Sequence, residues 1–330
     1  MIKKLLLIFL LTYPQFSHSS VEVDFNIWLK KFKITAHEEG ISEETINNSL
    51  KNAKYLEQVI KYDRYQPEFF EDTKTYINKR ATRSRMLKAK ALLIKNKKLF
   101  DEVEKEFKVE KELLLALWGI ETNFGKHVGK MDIISSLATL SFDKRRSEFF
   151  SKELIILLKL IDQKLINADT LYGSWAGAFG NFQFMPSSIE NYAIDYDKNN
   201  KIELKESLHD AVASAANYLN KIGWKYQSSC FYKVELTKPI SKKYINTSAK
   251  KIKNYQTIKL WKKKGIVDIE QISDKNKAAL VIPDLAVPEG NENSPAFLVF
   301  ENYEKILKWN RSLRFGVTVC ILANMIKNEI

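Results

Sequence analysis

The strongest candidate for chemistry in this chain is Glu121, a glutamate near the end of an almost wholly apolar segment. Residues 113–125 read LLLALWGIETNFG, and Leu114, Leu117 and Trp118 stand seven, four and three positions before Glu121. In a helix these positions share one face. A carboxyl desolvated by such neighbours is expected to have a raised pKa and to serve as a general acid. The same spacing also suits a helix-end glutamate with its carboxylate in water.

A second segment mixes glycines, aromatic rings and polar side chains. Residues 173–188 read GSWAGAFGNFQFMPSS. Glycines let the backbone approach a ligand closely, and aromatic faces suit sugar rings. Ser174, Asn181 and Gln183 could bond the hydroxyls and amides of a saccharide, and Pro186 is expected to open the next helix. The alternative is a tight turn between packed helices, which explains the polar side chains less well.

A third segment, residues 195–206, reads DYDKNNKIELKE and follows the twelve-residue EF-hand calcium loop. Asn200 stands where that pattern has glycine, but asparagine tolerates the left-handed backbone conformation. The segment predicts a structural Ca²⁺ site, with sodium or an empty polar turn as the alternatives. The five predicted ligands are Asp195, Asp197, Asn199, the backbone carbonyl of Lys201, and Glu206.

Composition limits the classes of protein that remain. The chain has 330 residues, enough for two domains or one large one, and 53 basic against 40 acidic residues give a net charge of +13. This charge suits an anionic polymer or membrane, although scattered lysines also describe an ordinary solvated surface. No nucleic-acid-binding motif accompanies the charge, so no nucleic acid partner is expected. Two cysteines, Cys230 and Cys320, exclude a four-cysteine zinc site and are either bonded or two buried thiols.

The first 19 residues have the pattern of a secretory signal peptide. Lys3 and Lys4 precede an apolar run over 5–11, and Ser17 and Ser19 offer small residues for cleavage after Ser19. The run is short for a bilayer span, which takes about 20 residues. We therefore expect export to the periplasm. An uncleaved leader would instead leave an N-terminal membrane anchor.

The positions of polar and apolar residues predict a mainly α (α+β) fold. Periodicity is helical from Phe25 to about Ile222, whereas strand-like segments bounded by Pro, Gly or Asn follow Cys230. We expect a helical catalytic body over 20–228, a small strand-containing subdomain over 229–300, and C-terminal helices over 301–330 that return to the body. Predicted helices cover 76–107 (one or two), 112–122, 149–165, 207–222, 257–264, 303–309 and 313–327, and predicted strands cover 230–236, 278–282 and 296–300.

Five separated runs together resemble a known family. They are WGIETNFG, LATLSFDKRRSEFF, YGSWAGAFGNFQFMPSS, AVASAANYLNKIGW and PAFLVFENYEKILKWNRS. In this order they resemble the membrane-bound lytic murein transglycosylase B family, over about Phe25 to Ile330. The resemblance implies a lysozyme-like helical domain with a smaller insertion. It also implies cleavage of the β-1,4 bond between N-acetylmuramic acid and N-acetylglucosamine in peptidoglycan, with 1,6-anhydromuramic ends and no cofactor.

The resemblance also assigns roles to single residues. Glu121 falls on the family's one catalytic acid/base, which suffices because the muramic C6 hydroxyl is the nucleophile. Asn310 matches a family asparagine, but Trp309 stands before it where tyrosine is expected. Arg145 and Arg146 match an arginine pair that could hold lactyl or peptide carboxylates, unless they form a solvated helix end. The matched groove residues are Tyr76, Ser174, Gln183, Tyr218 and Asn310.

Two other functions remain open at this stage. One is a hydrolytic muramidase or chitinase-like enzyme that uses Glu121 with a second carboxylate, Glu190 or Asp143. The other is a calcium-dependent wall-binding protein without catalysis. No cysteine near the leader could accept a lipid, so the family's lipid anchor is not carried over. We expect a monomer that binds peptidoglycan glycan strands, with peripheral or N-terminal membrane association.

Overall fold

The structure is a computed structural model that describes residues 18–66, 71–168, 171–286 and 294–329. Residues 1–17 of the predicted signal peptide lie outside these ranges. Within them, no helix is long and apolar enough to cross a bilayer.

The described residues form fourteen α-helices and eight short strands. The helical body contains α1 His18–Glu38, α2 Glu43–Leu50, α3 Glu57–Arg64, α4 Thr73–Arg80, α5 Arg83–Lys95, α6 Lys97–Phe107, α7 Lys111–Thr122, β1 Met131–Asp132, α8 Ile133–Phe142, α9 Ser147–Asp162, β2 Tyr172–Gly173, α10 Pro186–Tyr192 and α11 Leu208–Lys221. The remainder contains β3 Phe231–Leu236, β4 Ile245–Asn246, β5 Gln256–Thr257, α12 Ile258–Lys263, β6 Ile266–Val267, β7 Lys277–Val281, β8 Ala296–Val299, α13 Glu301–Trp309 and α14 Leu313–Glu329.

Helix α7 is the central helix of the body. All residues from Leu113 to Gly119 are buried, and α7 packs against α14, α5, α6 and α11. A helix surrounded on every side must be apolar all round, which explains the composition of this segment. Glu121 comes two residues after Gly119, where the helix reaches the edge of the core.

The prediction of one or two long helices over 76–107 is wrong in the number of helices, because the structure has three there. At the first break, Thr82 is the N-cap of α5, and its hydroxyl accepts the Arg85 N–H at 3.1 Å. Asn96 makes the second break, where its side chain donates back to the Leu92 carbonyl at 2.9 Å. Such side chains compete with the helical ladder and favour helix ends. The helix predicted over 207–222 is confirmed, with Ser207 as its N-cap.

The insertion is built on one sheet with the strand order β4-β7-β8-β3-β6, and β5 pairs with β7. Side chains alternate between its faces. Val281 and Phe297 belong to the core of the helical body, whereas Leu280 and Leu298 pack with Trp261 of α12 in a second core. Both faces are therefore buried. The three predicted strands are confirmed within one or two residues, but the two-residue strands are too short to give a sequence pattern.

Several contacts tie the insertion to the helical body. A disulfide joins Cys230, just before β3, to Cys320 of α14, with Cα atoms 6.2 Å apart. Buried Asp284 accepts the Thr73 backbone N–H at 3.0 Å and pairs with Arg314 at 3.0 Å. The sequence left the state of the two cysteines open, and in the structure they are bonded.

Candidate active site

Glu121 lies near the C-terminal end of α7 and is half-buried. The helix ends because Asn123 adopts the left-handed conformation, with φ of 50°, and donates its N–H to the Gly119 carbonyl at 3.1 Å. Thr122 then donates its hydroxyl to the Asn181 carbonyl at 2.8 Å. The end of the helix is thus attached to the glycine-rich segment, which positions the Glu121 carboxyl beside it.

Trp309, the last residue of α13, contacts the predicted acid directly. Its indole N–H donates to Glu121 Oε1 at 3.0 Å. Its ring lies against Tyr218, Phe184 and Phe182, with centroid distances of 4.9, 5.2 and 6.3 Å. Sequence reasoning singled out Trp309 only as a departure from the family pattern and missed this contact. Its one signal was an aromatic residue directly before Asn310.

Tyr218 supports Trp309 from α11. It is only 8% exposed, and its hydroxyl donates to the Lys308 carbonyl at 3.1 Å. Burial, with a smaller contribution from Tyr192, raises the pKa of Tyr218 to about 12. The phenol is therefore neutral at ordinary pH. Together Phe182, Phe184, Tyr192, Tyr218 and Trp309 form what we call the aromatic cluster.

The polar groups of the glycine-rich segment also hold its turn. Ser174 Oγ accepts the Ala178 N–H at 2.9 Å, and Gln183 Nε2 donates to the Val128 carbonyl at 3.1 Å. Gly180 has a φ of +75°, and a Cβ there would lie 2.7 Å from the Leu204 carbonyl oxygen. Only glycine fits such a position. Both Ser174 and Gln183 are half-buried, so each also presents part of its side chain to solvent.

Asn181 does not serve as the saccharide-binding residue that its type suggested. It is 6% exposed, and its Nδ2 donates to the carbonyls of Leu204 and Lys205 at 3.1 and 2.9 Å. Its Oδ1 accepts the Trp118 indole N–H at 2.9 Å. The prediction for Asn181 is wrong because buried neighbours use this amide. The residue links α7 to the glycine-rich segment and to the predicted calcium loop.

The arginine pair is held by an aspartate from another helix. Arg145 Nε lies 2.8 Å from Asp63 Oδ2, and Arg146 also pairs with the same buried carboxylate. The hydrogen bond that Arg145 donates to Asp63 raises the pKa of Arg145 above its ordinary value. About half of the Arg145 side chain is exposed, and a guanidinium has five N–H donors, so donors remain for a ligand. Asp143, one candidate for a second carboxylate, is ion-paired with Arg64 at 2.8 Å.

The resemblance also assigns Tyr76 and Asn310 to the groove, and the structure shows what surrounds each of them. Tyr76 is 5% exposed, and the Arg80 guanidinium covers its ring with Cζ 3.7 Å from the centroid. Asn310 follows α13 and is half-buried, with its N–H donating to the Ile306 carbonyl at 3.0 Å. Neither contact tests a role in saccharide binding, which stays a prediction for both.

The calcium-like loop brings together a set of carboxylates that differs from the predicted one. Oxygens of Asp195, Asp197 and Asp210 all lie within 4.8 Å of one another. Asp210 is fully buried and accepts the backbone N–H groups of Tyr196 and Glu203 at 2.9 and 3.0 Å.

Glu206, the third carboxylate of the predicted set, is not a member of this group. Glu206 is exposed and lies 3.7 Å from the Lys205 ammonium. Asn199 Oδ1 accepts the backbone N–H of Lys201 at 2.9 Å. Sequence reasoning missed Asp210 because it stands on α11, beyond the twelve-residue pattern. Three carboxylates suit Ca²⁺, which prefers oxygen ligands.

Comparison with known proteins identifies a matching family and a similar protein. Residues 24–324 match the family described as Transglycosylase SLT domain. The chain is 42% identical over 117 residues to Membrane-bound lytic murein transglycosylase B of Escherichia coli (strain K12), which is 35% of this chain and 32% of that protein. The matched stretch thus spans about a third of that relative.

Solved structures extend the likeness to most of the chain. SltB3 from Pseudomonas aeruginosa in complex with NAG-NAM-pentapeptide has a TM-score of 0.82 and 30% identity, covering 92% of this chain and 79% of that one. The same protein with NAG-anhNAM-pentapeptide gives 0.81. Escherichia coli Slt35 in complex with calcium has a TM-score of 0.76 at 23% identity, covering 93% and 94%, which shows a shared fold. The predicted mainly α, lysozyme-like fold is confirmed, and the chain belongs to the transglycosylase SLT domain family.

Proposed function

We propose that the chain is a peptidoglycan lytic transglycosylase, which cleaves the β-1,4 bond between N-acetylmuramic acid and N-acetylglucosamine and leaves 1,6-anhydromuramic ends. The observation that carries this proposal is the Glu121 carboxyl, which accepts the Trp309 N–H beside the aromatic cluster. Family membership supports it, as do the two SltB3 complexes, one with NAM and one with anhNAM.

The reaction needs one carboxyl group in two steps. Glu121 first gives its proton to the glycosidic oxygen as the bond from that oxygen to muramic C1 breaks. The Glu121 carboxylate then takes the proton of the muramic C6 hydroxyl, and O6 forms a new bond to C1. One C–O bond breaks and one forms, so no water is consumed. The substrate's own 2-acetamido group can shield the positive charge at C1 between the two steps.

Trp309 is well suited to assist an acid that changes its charge. An indole N–H is only a donor, so it cannot take the acid's proton. It can bond Oε1 in both protonation states, and the bond is stronger when the carboxylate is charged. Trp309 thereby stabilises Glu121 after its first proton transfer. The contact also orients the carboxyl group, because one of its two oxygens is held.

Peptidoglycan digestion with product analysis tests the proposal. Purified sacculi are digested with the wild-type protein and with Glu121→Gln, and the soluble muropeptides are weighed by mass spectrometry. Wild type should release products lighter by one water than reducing-end products, and Glu121→Gln should release almost none. If wild type gives only reducing ends, the protein is a hydrolase. If the variant keeps full activity, Glu121 is not the acid.

The groove is the second part of the proposal. We infer that the glycan lies along the glycine-rich segment and the aromatic cluster, with the arginine pair toward its anionic substituents. The residues proposed to contact it are Tyr76, Arg145, Arg146, Ser174, Gln183, Tyr218 and Asn310. The half-buried, partly exposed side chains of Ser174 and Gln183 support this placement, and their turn lies next to the end of α7.

We also propose a structural Ca²⁺ site formed by Asp195 and Asp197 of the loop with Asp210 of α11. The grouping of their oxygens and the calcium complex of Slt35 support it. Calcium added after chelation should raise the melting temperature of the wild type, whereas Mg²⁺ should act weakly because it prefers a tighter, octahedral shell. Asp197→Asn should lose most of this increase, and Glu206→Gln should keep it. An equal loss in both variants would return Glu206 to the ligand set.

The proposed location follows from the substrate. We propose that the protein works in the periplasm as a monomer and is exported by the signal predicted over 1–19. The domain boundaries that we propose for the body, the insertion and the C-terminal helices are those predicted from the sequence. The cell-wall names of its relatives support an envelope location. Fractionation of cells that express the full chain tests this proposal, because recovery in the cytoplasmic fraction would contradict it.

A further inference from the structure

The insertion has an unusual charge pattern that the proposed reaction does not use. Between residues 238 and 264 the sequence contains ten lysines and no aspartate or glutamate. Eight of these lysines are exposed, and Lys262 and Lys264 are half-buried. In the described part of the chain, Lys262 is the one lysine of this stretch that forms an ion pair, with Asp274 at 2.8 Å. This stretch therefore presents concentrated and largely uncompensated positive charge.

Part of this charge lines two adjoining clefts. Lys250 and Lys251 belong to the walls of both clefts, Lys253 belongs to one, and Lys308 and Arg311 of the α13 end belong to the other. We call these five residues the lysine face. The cleft volumes of about 380 and 420 Å³ lie in the range of small-ligand pockets. The one acidic residue in the walls is Glu304, which accepts the Tyr255 hydroxyl at 2.6 Å.

The lysine face includes chain neighbours of the candidate active site. Lys308 immediately precedes Trp309, whose indole contacts Glu121, and Arg311 immediately follows Asn310. A polymer of repeating units bound at Glu121 is long enough to reach these two cations. Where a stem peptide is attached, the lactyl carboxyl of the muramic residue forms the amide bond to that peptide. The glycan backbone there carries no charge of its own, so attraction to it cannot explain five cations. The carboxylates of peptidoglycan are on the peptides attached to its muramic residues.

We propose that the lysine face binds the carboxylates of the stem peptides on the glycan strand that the active site cleaves. This inference rests on the proposed function and adds to it a recognition site for the peptide part of the substrate. Mobile lysines at a surface suit carboxylates that recur along a flexible polymer, because each contact is weak and several act together. The binding should weaken as salt is added.

A binding experiment with inactive protein separates this proposal from catalysis. Every protein carries Glu121→Gln, so nothing is cleaved. The test variant adds Lys250→Gln, Lys251→Gln and Lys253→Gln. The matched control instead adds Lys30→Gln, Lys31→Gln and Lys95→Gln, three exposed lysines of α1 and α5 that form no ion pair in the described residues. Sedimentation measures binding to intact sacculi and to amidase-treated glycan strands that have lost their peptides.

The test variant should bind intact sacculi about tenfold more weakly than the control, with a shallower dependence on salt, since three surface contacts are lost. The lactyl carboxylates that the amidase exposes lie on the sugar itself, where the arginine pair is proposed to hold them, so both proteins should bind peptide-free strands equally. In an active background, both triple variants should cleave peptide-free strands at the wild-type rate, which shows that they are folded.

Three results would overturn the proposal. One is equal binding of the two proteins to intact sacculi, and another is an equal loss for the test variant on peptide-free strands. The third is a selective loss of binding to phosphatidylglycerol vesicles with sacculus binding intact, which would assign the face to a membrane. Because the bound protein is inactive, a failure of the proposed reaction would appear only in the product masses and not in these measurements.

Discussion

At the scale of single residues, the indole of Trp309 donates a hydrogen bond to the carboxyl that is proposed as the acid. Helix α7 supplies the Glu121 carboxyl and α13 supplies the donor to Oε1 at 3.0 Å. The aromatic cluster holds the indole ring in place on the sides of Phe182, Phe184 and Tyr218. Loss of the N–H and loss of the ring are therefore separable by mutation.

Replacing Trp309 by phenylalanine keeps an aromatic ring but removes the donor. Because a hydrogen bond to a charged group contributes about 1.5 to 3 kcal/mol, kcat should fall about tenfold to a hundredfold. The KM should change little, since the ring remains. Initial rates of anhydro-muropeptide release over a range of glycan concentrations measure both constants.

Trp224→Phe is the matched control for that measurement. Trp224 also donates its indole N–H to a glutamate, Glu110, at 2.7 Å, but this pair joins α11's end to the start of α7. Its loss should lower stability and leave kcat unchanged. An equal drop of kcat in the two variants, or a rise in KM alone for Trp309→Phe, would contradict the role given to Trp309.

Tyr218 gives a prediction for alkaline pH. Its pKa is raised from 10 to about 12 by burial, so the folded state binds the phenolic proton more tightly than the unfolded state does. This stability is fully present below pH 10 and is lost as the pH rises toward 12. A shift of two units corresponds to at most about 2.7 kcal/mol. Denaturant unfolding between pH 9 and 11 should show a shallower decline for Tyr218→Phe, and identical slopes would contradict it.

At the scale of elements, Asn181 connects three parts of the molecule. It bonds Trp118 on α7, and its own segment carries the glycine-rich turn. Its amide also donates to Leu204 and Lys205 at the end of the proposed calcium loop. The side chain of Asn181 thus joins the proposed calcium loop to α7, the helix that carries Glu121. A cation that orders this loop should therefore stabilise the site without contacting the substrate.

Substitution of Asn181 by leucine tests this connection. The change leaves the buried Trp118 N–H and the Lys205 carbonyl without their Asn181 partner, whereas the Leu204 carbonyl keeps the backbone N–H of residue 181 at 2.9 Å. The free energy of unfolding should therefore fall by about 3 kcal/mol. Asn191→Leu removes a single exposed bond to the Ser187 carbonyl and should cost about 0.5 kcal/mol. Denaturant unfolding in calcium measures both. Equal small losses would show that the link carries little of the stability.

The same elements show how far the sequence predicts the structure. The α7 and α11 helices followed from the content and spacing of their apolar residues, because this signal is local. Local patterns could not pair Trp309 with Glu121, which stand 188 residues apart. They also could not add Asp210 to the carboxylates of the loop, since its approach depends on how α11 packs. The candidate acid could therefore be proposed from the sequence, whereas its hydrogen-bond donor could not.

At the scale of the whole molecule, the disulfide between Cys230 and Cys320 closes a long loop. The two residues stand 90 positions apart, and the loop includes the whole sheet and α13. It therefore connects the insertion, the lysine face and the segment that carries Trp309 to the final helix of the body.

Removal of this crosslink should lower stability more than most single substitutions. In the chain-entropy model a loop of this length contributes about 4 to 5 kcal/mol, and measured losses are usually about 2 to 5. Cys320→Ser should therefore unfold at clearly lower denaturant concentration than the oxidised wild type. Cys230→Ser/Cys320→Ser should match the single variant, because one bond is lost in each. If a reductant leaves the unfolding midpoint of the wild type unchanged, the disulfide between Cys230 and Cys320 does not contribute to its stability.

Glu121 and Trp309 stand 188 positions apart, so the order of synthesis determines when the proposed site becomes complete. During synthesis the carboxyl emerges long before the indole that completes its surroundings, and α13 follows the entire insertion. A polypeptide that stops short of Glu301 thus contains the acid but not the donor. The proposed reaction should therefore reach its full rate only after α13 has been synthesised, and proteolytic removal of residues 301–330 should lower that rate while the carboxyl remains in place.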